Sequence, residues 1–168
     1  PGSYKIRDFS RNVQDFSAGG LSWSKVDKNR WRVRTAGARS VTVEYNVWAF
    51  ELGVQTSHLD ADHGFVSGPS VFAYVEGRKE EPVEVRIETP PGWRVATGLD
   101  RKGRHYAAPD YDTFADCPIE AGSFLWKTFR VKGVEHRLAL HGPGNYDPPG
   151  LVRAQRKIVP TEAGMFRH

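Results

Sequence analysis

The feature that most limits the fold of this chain is a succession of short alternating segments divided by turns rich in Gly and Pro. In residues 82–89, Val and Ile alternate with Glu and Arg, and the run stops at Pro90-Pro91-Gly92. Strict alternation is typical of a half-buried β-strand, because successive side chains of a strand point to opposite faces. Similar segments recur along most of the chain and indicate an all-β fold with antiparallel strands. A two-sheet sandwich and one large twisted sheet fit this pattern equally well.

The same pattern predicts further strands and two hairpins. Strands are expected at residues 4–9, 41–50, 70–76 and 93–97, and hairpins at residues 21–35 and 124–140. Polar and Gly-rich composition predicts loops at residues 12–20, 58–70, 99–105 and 141–150.

Helical spacing appears only near the carboxy end, in residues 151–159. Leu151, Ala154 and Ile158 share one face there, which is typical of an α-helix. Pro149 suits the start of this helix, and Pro160 is expected to end it and can open another. We therefore predict a β-rich domain over residues 1–150 and a short helical connector over residues 151–168.

Composition narrows the class of protein. A chain of 168 residues is long enough for one domain with a sizeable core, and its single cysteine excludes an internal disulfide. The formal charge of +4 is uneven, since residues 1–40 hold nine Lys or Arg but three Asp or Glu. Several of these arginines alternate with apolar residues, so we interpret them as the solvated side of strands and expect no nucleic-acid partner.

Hydropathy and the lack of a disulfide do not decide the cellular compartment of the chain. No apolar run of the sequence is long enough to span a bilayer, so no membrane partner is expected. Domains without disulfides occur both in the reducing cytoplasm and in the periplasm, so the cytoplasm and the periplasm of a bacterium both stay open.

An acidic and aromatic stretch, residues 110–124, lies between two blocks of predicted strands and reads DYDTFADCPIEAGSF. Pro118 biases Cys117 toward an extended backbone, and Gly122 permits a turn or a close approach. We expect a shaped loop that can include one helical turn over residues 111–115. Such a loop on a rigid scaffold would present carboxylates at a fixed position.

This stretch, together with YNVWAFELGVQTSHLDADHGFVSGPSVFAYVEG at residues 45–77, resembles the amino-terminal domain of the glycyl aminopeptidase family. These enzymes are zinc metallopeptidases related to aminopeptidase N, and the resemblance extends from about Tyr4 to the carboxy end. It implies a twisted, saddle-like β-domain that precedes a helical catalytic domain with an HExxH zinc motif. No HExxH occurs here, and no two of the six histidines are four residues apart. We therefore expect one domain of a larger peptidase, with the zinc bound beyond His168.

The resemblance implies a role without catalysis in this chain. The domain would scaffold the catalytic domain of the same parent chain and form one wall of the cleft for a peptide substrate. An aminopeptidase buries the ammonium group of its substrate, and a carboxylate compensates that charge. We expect Glu120, with Asp116 beside it, to bind the free amino terminus. The alternative is that both acids cap backbone amides within their loop.

The isolated chain is expected to hold no cofactor and to be inactive, because a metal-activated water requires the HExxH helix. The main alternative is a stand-alone β-sandwich module that binds carbohydrate or protein, which a row of exposed aromatic side chains would favour. A third possibility is an independent hydrolase that uses the acids of residues 110–120. It would need two carboxylates at a working separation in a deep pocket.

Other candidate residues are better explained by structure than by chemistry. The sequence HLDADH at residues 58–63 could ligate a metal, but a calcium loop needs further oxygen ligands, so we predict a turn between two strands. Cys117 is interpreted as a small packing residue. His136 is predicted to be a half-buried structural residue of its strand. Most of the five tryptophans are predicted to pack in the core.

Overall fold

The computed structural model describes residues 7–166 of the chain. The described residues are mostly strands in several antiparallel sheets, with one long helix near the carboxy end. The predicted all-β class and the late helix are therefore confirmed. The chain forms two compact units, the first built from Pro1–Glu88 with Thr97–Glu120 and the second from Thr89–Ala96 with Ala121–His168. The predicted border at residue 150 between domain and connector stays a prediction.

The elements follow one another along the chain with short connections. In order they are a 3-10 turn at Phe9–Asn12, β1 (Val13–Ser17), β2 (Trp23–Asp27), β3 (Arg30–Val33), β4 (Glu44–Val47), β5 (His58–Leu59), β6 (His63–Val66), α1 (Gly68–Val71), β7 (Val83–Val85), β8 (Arg94–Thr97), β9 (Asp100–Lys102), β10 (His105–Ala108), α2 (Tyr111–Asp116), β11 (Ile119–Gly122), β12 (Leu125–Val131), β13 (Val134–Leu140) and α3 (Pro148–Met165).

The first unit contains small antiparallel groups of strands. The hairpin of β2 and β3 confirms the prediction for residues 21–35, and its turn is fixed by Asp27, which accepts hydrogen bonds from Asn29 N at 2.8 Å and Arg30 Nε at 2.6 Å. Strand β1 pairs with β4, β5 pairs with β6, and β10 lies between β7 and β9. The loop predicted at residues 99–105 is therefore the turn and the flanking strands of a β9–β10 hairpin.

Two predictions for the amino-terminal half are wrong in their bounds. Residues 12–20 contain strand β1 because its backbone pairs with β4, a long-range contact that local polarity does not reveal. The strand predicted at residues 41–50 is reduced to β4, since only Glu44–Val47 finds a pairing partner in β1. The strand predicted at residues 4–9 falls mostly outside the described residues, and Phe9 begins the 3-10 turn.

The strand predicted at residues 70–76 is also wrong. Its first residues belong to α1, and the extended backbone that follows is held by tyrosine side chains rather than by a neighbouring strand. Tyr45 Oη donates to the carbonyl oxygen of Val71 at 2.9 Å and accepts from Ala73 N at 3.0 Å. Tyr111 Oη donates to the carbonyl oxygen of Phe72 at 2.6 Å. The hydroxyl groups thus take the place of the hydrogen bonds that a strand would make.

The core of the first unit is centred on α2. Tyr111 and Phe114 are buried on one side of this helix, and Phe72 meets Phe114 edge to face with 4.7 Å between ring centroids. Burying aromatic rings in this arrangement removes a large apolar area from water. The helix that carries the acidic stretch is therefore anchored at a fixed place in its unit.

The second unit is dominated by the hairpin of β12 and β13. It turns at Lys132 and Gly133, both with positive φ, as a tight two-residue hairpin requires. The prediction for residues 124–140 is confirmed. None of the helices in the described part of the chain is both long enough and apolar enough to cross a membrane.

Helix α3 starts at Pro148, next to the predicted Pro149 and three residues before the predicted helical range 151–159, and Pro160 does not end it. The helix continues to Met165 with Pro160 inside. Proline removes one backbone donor and crowds the preceding turn. The hydroxyl of Thr161 donates to the carbonyl oxygen of Lys157 at 3.2 Å, which adds a donor to the turn around the proline. The predicted end at residue 159 is therefore wrong.

Candidate functional site

The acidic stretch is helix α2 followed by strand β11, so the predicted helical turn is confirmed. Asp110 caps the helix, because its Oδ1 accepts a hydrogen bond from Thr113 N at 2.7 Å. The backbone N–H of Thr113 also holds the pKa of the Asp110 carboxyl below its usual value. Asp112 pairs with Lys79 Nζ at 2.7 Å. These two acids stabilise the fold locally, which leaves Asp116 and Glu120 as the site candidates.

Asp116 and Glu120 occupy different positions in the structure. Asp116 is the last residue of α2 and is exposed, while Glu120 lies in the first half of β11 with 38% of its side chain exposed. The N-cap of α2 is Asp110, and the alternative that Asp116 and Glu120 cap backbone amides of their loop stays a prediction. His63 of β6 lies beside Glu120, with its Nε2 atom 3.8 Å from Glu120 Oε2.

The HLDADH sequence forms the turn between β5 and β6, as predicted. Asp60 Oδ1 accepts hydrogen bonds from Asp62 N at 3.1 Å and His63 N at 2.9 Å. Its other oxygen contacts His58 Nε2 at 3.0 Å. The hydrogen bond from His58, with those from the two backbone amides, holds the pKa of the Asp60 carboxyl far below its usual value. Asp60 is therefore the residue that fixes this turn.

The metal hypothesis for this turn gains no support from the geometry. His58 is buried, its ring stacks on Phe50 at 5.0 Å between centroids, and its Nε2 is directed to Asp60. Within residues 7–166, no group of three or more His, Cys, Asp or Glu side chains is arranged to hold a metal ion.

An exposed apolar hairpin precedes this turn and was missed by the sequence analysis. We name residues 49–59 the apolar hairpin. Its arms are joined by hydrogen bonds from Leu59 N to Ala49 O at 2.7 Å and from Glu51 N to Ser57 O at 3.3 Å. The side chains of Phe50, Leu52, Val54 and Leu59 are 60%, 83%, 92% and 57% exposed.

The signal for this hairpin was present in the sequence. Apolar residues alternate with Glu51, Gly53 and Gln55, and these polar and glycine residues are typical of a turn. The Thr56 hydroxyl closes the loop by donating to Glu51 O at 2.7 Å. The sequence does not reveal that the apolar side chains of this hairpin are exposed to solvent.

The remaining candidates have structural explanations. Burial, with the nearby charges of Asp116 and Asp100, raises the pKa of the Cys117 thiol, which disfavours a reactive thiolate. His136 is half-buried and stacks on Phe129 at 5.2 Å between centroids, as predicted.

The tryptophans divide into two groups. Trp31 stacks on Phe16 at 5.3 Å, and Arg94 lies 4.7 Å above the ring of Trp126. Trp23 and Trp48 are 42% and 51% exposed, so core packing does not account for them. These two are exceptions to the prediction that most of the tryptophans pack in the core.

The family model described as the peptidase M61 N-terminal domain matches residues 1–123 of this chain. Since this match spans well over half of the 168 residues, the chain belongs to the family of peptidase M61 N-terminal domains. The predicted resemblance to the amino-terminal domain of a peptidase is confirmed.

A solved structure supports the same assignment. It is the crystal structure of an aminopeptidase N family protein from Idiomarina loihiensis, with a TM-score of 0.89 and 34% sequence identity to this chain. The match covers 100% of this chain and 31% of that chain, so this chain spans about a third of that protein's length. No curated protein matches the chain.

Proposed function

We propose that this chain is the domain that scaffolds the catalytic domain of a zinc metallo-aminopeptidase and forms one wall of its substrate cleft. The observation that carries the proposal is the position of a half-exposed carboxylate, Glu120, beside strands that continue into the apolar hairpin. Phe50 bridges to His58 of β5, β5 pairs with β6, and His63 of β6 faces Glu120. A docking surface and a polar binding group are thus joined by one short series of strands.

The apolar hairpin is the surface proposed to contact the catalytic domain. Leu52 and Val54 at its tip are almost fully exposed, and apolar side chains grouped in this way usually mark an interaction site. Membership of a family of peptidase N-terminal domains makes the catalytic domain of the same parent chain the partner that fits best. Covering the hairpin would remove its apolar area from water and stabilise the assembled enzyme.

Glu120 is proposed to bind the free amino terminus of the peptide substrate, with Asp116 as a second carboxylate nearby in sequence. A substrate ammonium loses hydration when it enters a cleft, and a carboxylate acceptor offsets that loss. Glu120 is exposed enough to be reached, since 38% of its side chain is open to solvent. The zinc and the HExxH helix would belong to the catalytic domain, so the isolated chain is proposed to lack peptidase activity.

The binding role is tested with Glu120→Gln in the full-length peptidase that carries this domain. We expect kcat/KM for glycyl and alanyl amide substrates with a free amine to fall roughly ten- to a hundredfold, as for the loss of a charge-assisted hydrogen bond. The ratio of kcat/KM for free-amine substrates to kcat/KM for amino-blocked substrates should fall as well. Glu80→Gln, which changes another exposed carboxylate, is the control. Unchanged kinetics for Glu120→Gln would refute the role of Glu120.

The docking role is tested with the double variant Leu52→Ser and Val54→Ser in two settings. In the isolated chain these exposed residues contribute little, so the thermal unfolding temperature should hardly change. In the full-length peptidase the same change should lower that temperature and increase hydrogen exchange in the apolar hairpin. Val134→Ser, at a valine of another hairpin that is 60% exposed, serves as the control. Equal effects in both settings would contradict docking.

A stand-alone module for carbohydrate or protein is the second candidate, and the exposed rings of Trp23 and Trp48 favour it. Aromatic faces open to solvent can stack on sugar rings. Saturable binding of a glycan by the isolated chain, lost in Trp48→Ala, would support the module over the scaffold.

A further inference from the structure

The position of His63 beside Glu120 differs from that of an ordinary surface ion pair. The Nε2 atom of His63 lies 3.8 Å from Glu120 Oε2. The imidazole is nearly buried, with 15% of its side chain exposed, whereas the carboxylate is 38% exposed. The more buried imidazole thus lies beside a carboxylate that solvent can still reach.

The backbone of His63 is fixed from two sides. Its N–H donates to Asp60 Oδ1 at 2.9 Å, and its carbonyl oxygen accepts from Asp60 N at 2.9 Å. Asp60 is itself held by His58 Nε2 at 3.0 Å. The imidazole thus projects from a turn whose backbone is held by several hydrogen bonds.

We infer that His63 is a positioning residue for Glu120, an inference that rests on the proposed binding of the substrate amine. A glutamate side chain has several rotatable bonds, and ordering it during binding costs free energy. A donor at Oε2 orders the carboxylate in advance and leaves Oε1 to accept from the amine. The imidazole can donate from Nε2 either as the neutral tautomer protonated there or as the cation.

The distance of 3.8 Å is longer than a hydrogen bond. Hydrogen bonds at binding and catalytic sites are often long without substrate and shorten in the complex. The attraction between the pair is therefore expected to strengthen when the amine enters and water leaves the cleft. Its effect should then be felt in substrate binding more than in the chemical step.

The test is a double-mutant cycle in the full-length peptidase with a glycyl amide substrate. His63→Ala should raise KM by about two- to fivefold, the size expected of a partly exposed ion pair, with a smaller change in kcat. His63→Gln should bring KM most of the way back to the parent value, because the glutamine amide can donate from a similar position. In the Glu120→Gln background, His63→Ala should add nothing. His105→Ala, at an exposed histidine, is the control and should leave KM unchanged.

The outcomes separate this inference from the proposed function. If Glu120→Gln impairs the enzyme but His63→Ala does not, positioning by His63 is refuted and the proposed function stands. If His63→Ala raises KM equally with and without Glu120→Gln, the role of His63 is purely structural and the inference is also refuted. If Glu120→Gln has no effect, both fail. Thermal unfolding of each variant shows whether a raised KM comes from misfolding.

Discussion

Gly68 of α1 lies directly against the backbone of Ala115 in α2. A Cβ atom added at residue 68 would come within 2.6 Å of the Ala115 carbonyl oxygen and 2.7 Å of its Cα. Real Cβ atoms do not approach backbone so closely, and backbone cannot swing away as a long side chain can. The two short helices are thus in contact because one of them carries no side chain at this point.

Gly68→Ala is therefore expected to destabilise the chain. Separating α1 from α2 would disturb the packing of Phe114 and cost about 1 to 3 kcal/mol in the free energy of unfolding. Chemical denaturation of the isolated chain measures this cost. Gly164→Ala is the matched control, because a Cβ at that helical position meets nothing within 4 Å. It should leave stability unchanged or raise it slightly. Equal stability of Gly68→Ala and the parent would contradict the close contact.

The hydroxyl of Tyr111 is expected to stabilise the segment after α1. Tyr111→Phe removes the donor to the Phe72 carbonyl oxygen and should lower the free energy of unfolding by about 1 to 2 kcal/mol. Tyr74→Phe is the control, because this neighbouring tyrosine is 51% exposed. Denaturation of both variants tests the comparison, and a larger loss for Tyr74→Phe would contradict it.

Burial raises the pKa of Tyr111 to about 12, well above the ordinary value of 10.0. Because the folded state disfavours the ionised phenol, the resulting stability is complete below pH 10.0 and is lost as the pH rises toward about 12. Stability measured between these pH values should therefore fall less steeply in Tyr111→Phe than in the parent. Parallel pH profiles for the two proteins would rule out this assignment.

Asp60 is expected to make stability depend on acidic pH. Its folded pKa lies below the ordinary value of 3.8, so its contribution is present above pH 3.8 and is lost as the pH falls through the lower folded value. Asp60→Asn should lower stability at neutral pH and flatten the acid limb of the profile. Glu80→Gln is the control and should leave the acid limb of the stability profile unchanged. Thermal unfolding across this pH range gives the result, and an acid limb of unchanged slope in Asp60→Asn would exclude this role.

Pro160 is expected to weaken α3 although the helix runs through it. Pro160→Ala restores a backbone donor and removes a steric clash, so it should raise the unfolding temperature; the full cost of a proline inside a helix is about 3 kcal/mol. Circular dichroism and thermal unfolding measure helix content and stability. Thr161→Val in the parent should have the opposite effect, because it removes the donor to Lys157 O. A less stable Pro160→Ala variant would show that the proline suits the helix.

Local patterns predicted the elements whose cause is local. The two long hairpins follow from alternation and from turn residues such as Asp27 and Gly133, and the helical turn of α2 follows from its Asp110 cap. The predictions for strand β1 and for the segment after α1 were wrong because the hydrogen-bond partners of these residues are distant in sequence. Val71 and Phe72 are held by Tyr45 and Tyr111, and no pattern within residues 70–76 specifies those contacts.

The candidate site was predictable only in part. Glu120 was proposed from the family resemblance, which can align a motif but cannot reveal what lies beside it. The neighbour of Glu120 is His63, 57 positions earlier in the chain, and only the folded strands bring the two together. Exposure was equally hidden, since Leu52 and Val54 look like core residues until the hairpin that carries them is seen.

The segment Thr89–Ala96 belongs to the second compact unit although it lies between two parts of the first. During synthesis it leaves the ribosome well before residues 121–168, so it must wait for the rest of its unit while the first unit can already fold. Arg94, for example, meets the ring of Trp126 only after more than thirty further residues have been added. A cut after Glu120 keeps every residue of the first unit, whereas any cut between Ala96 and Ala121 divides the second unit, so a shorter version that holds only the second unit would require its two segments to be rejoined.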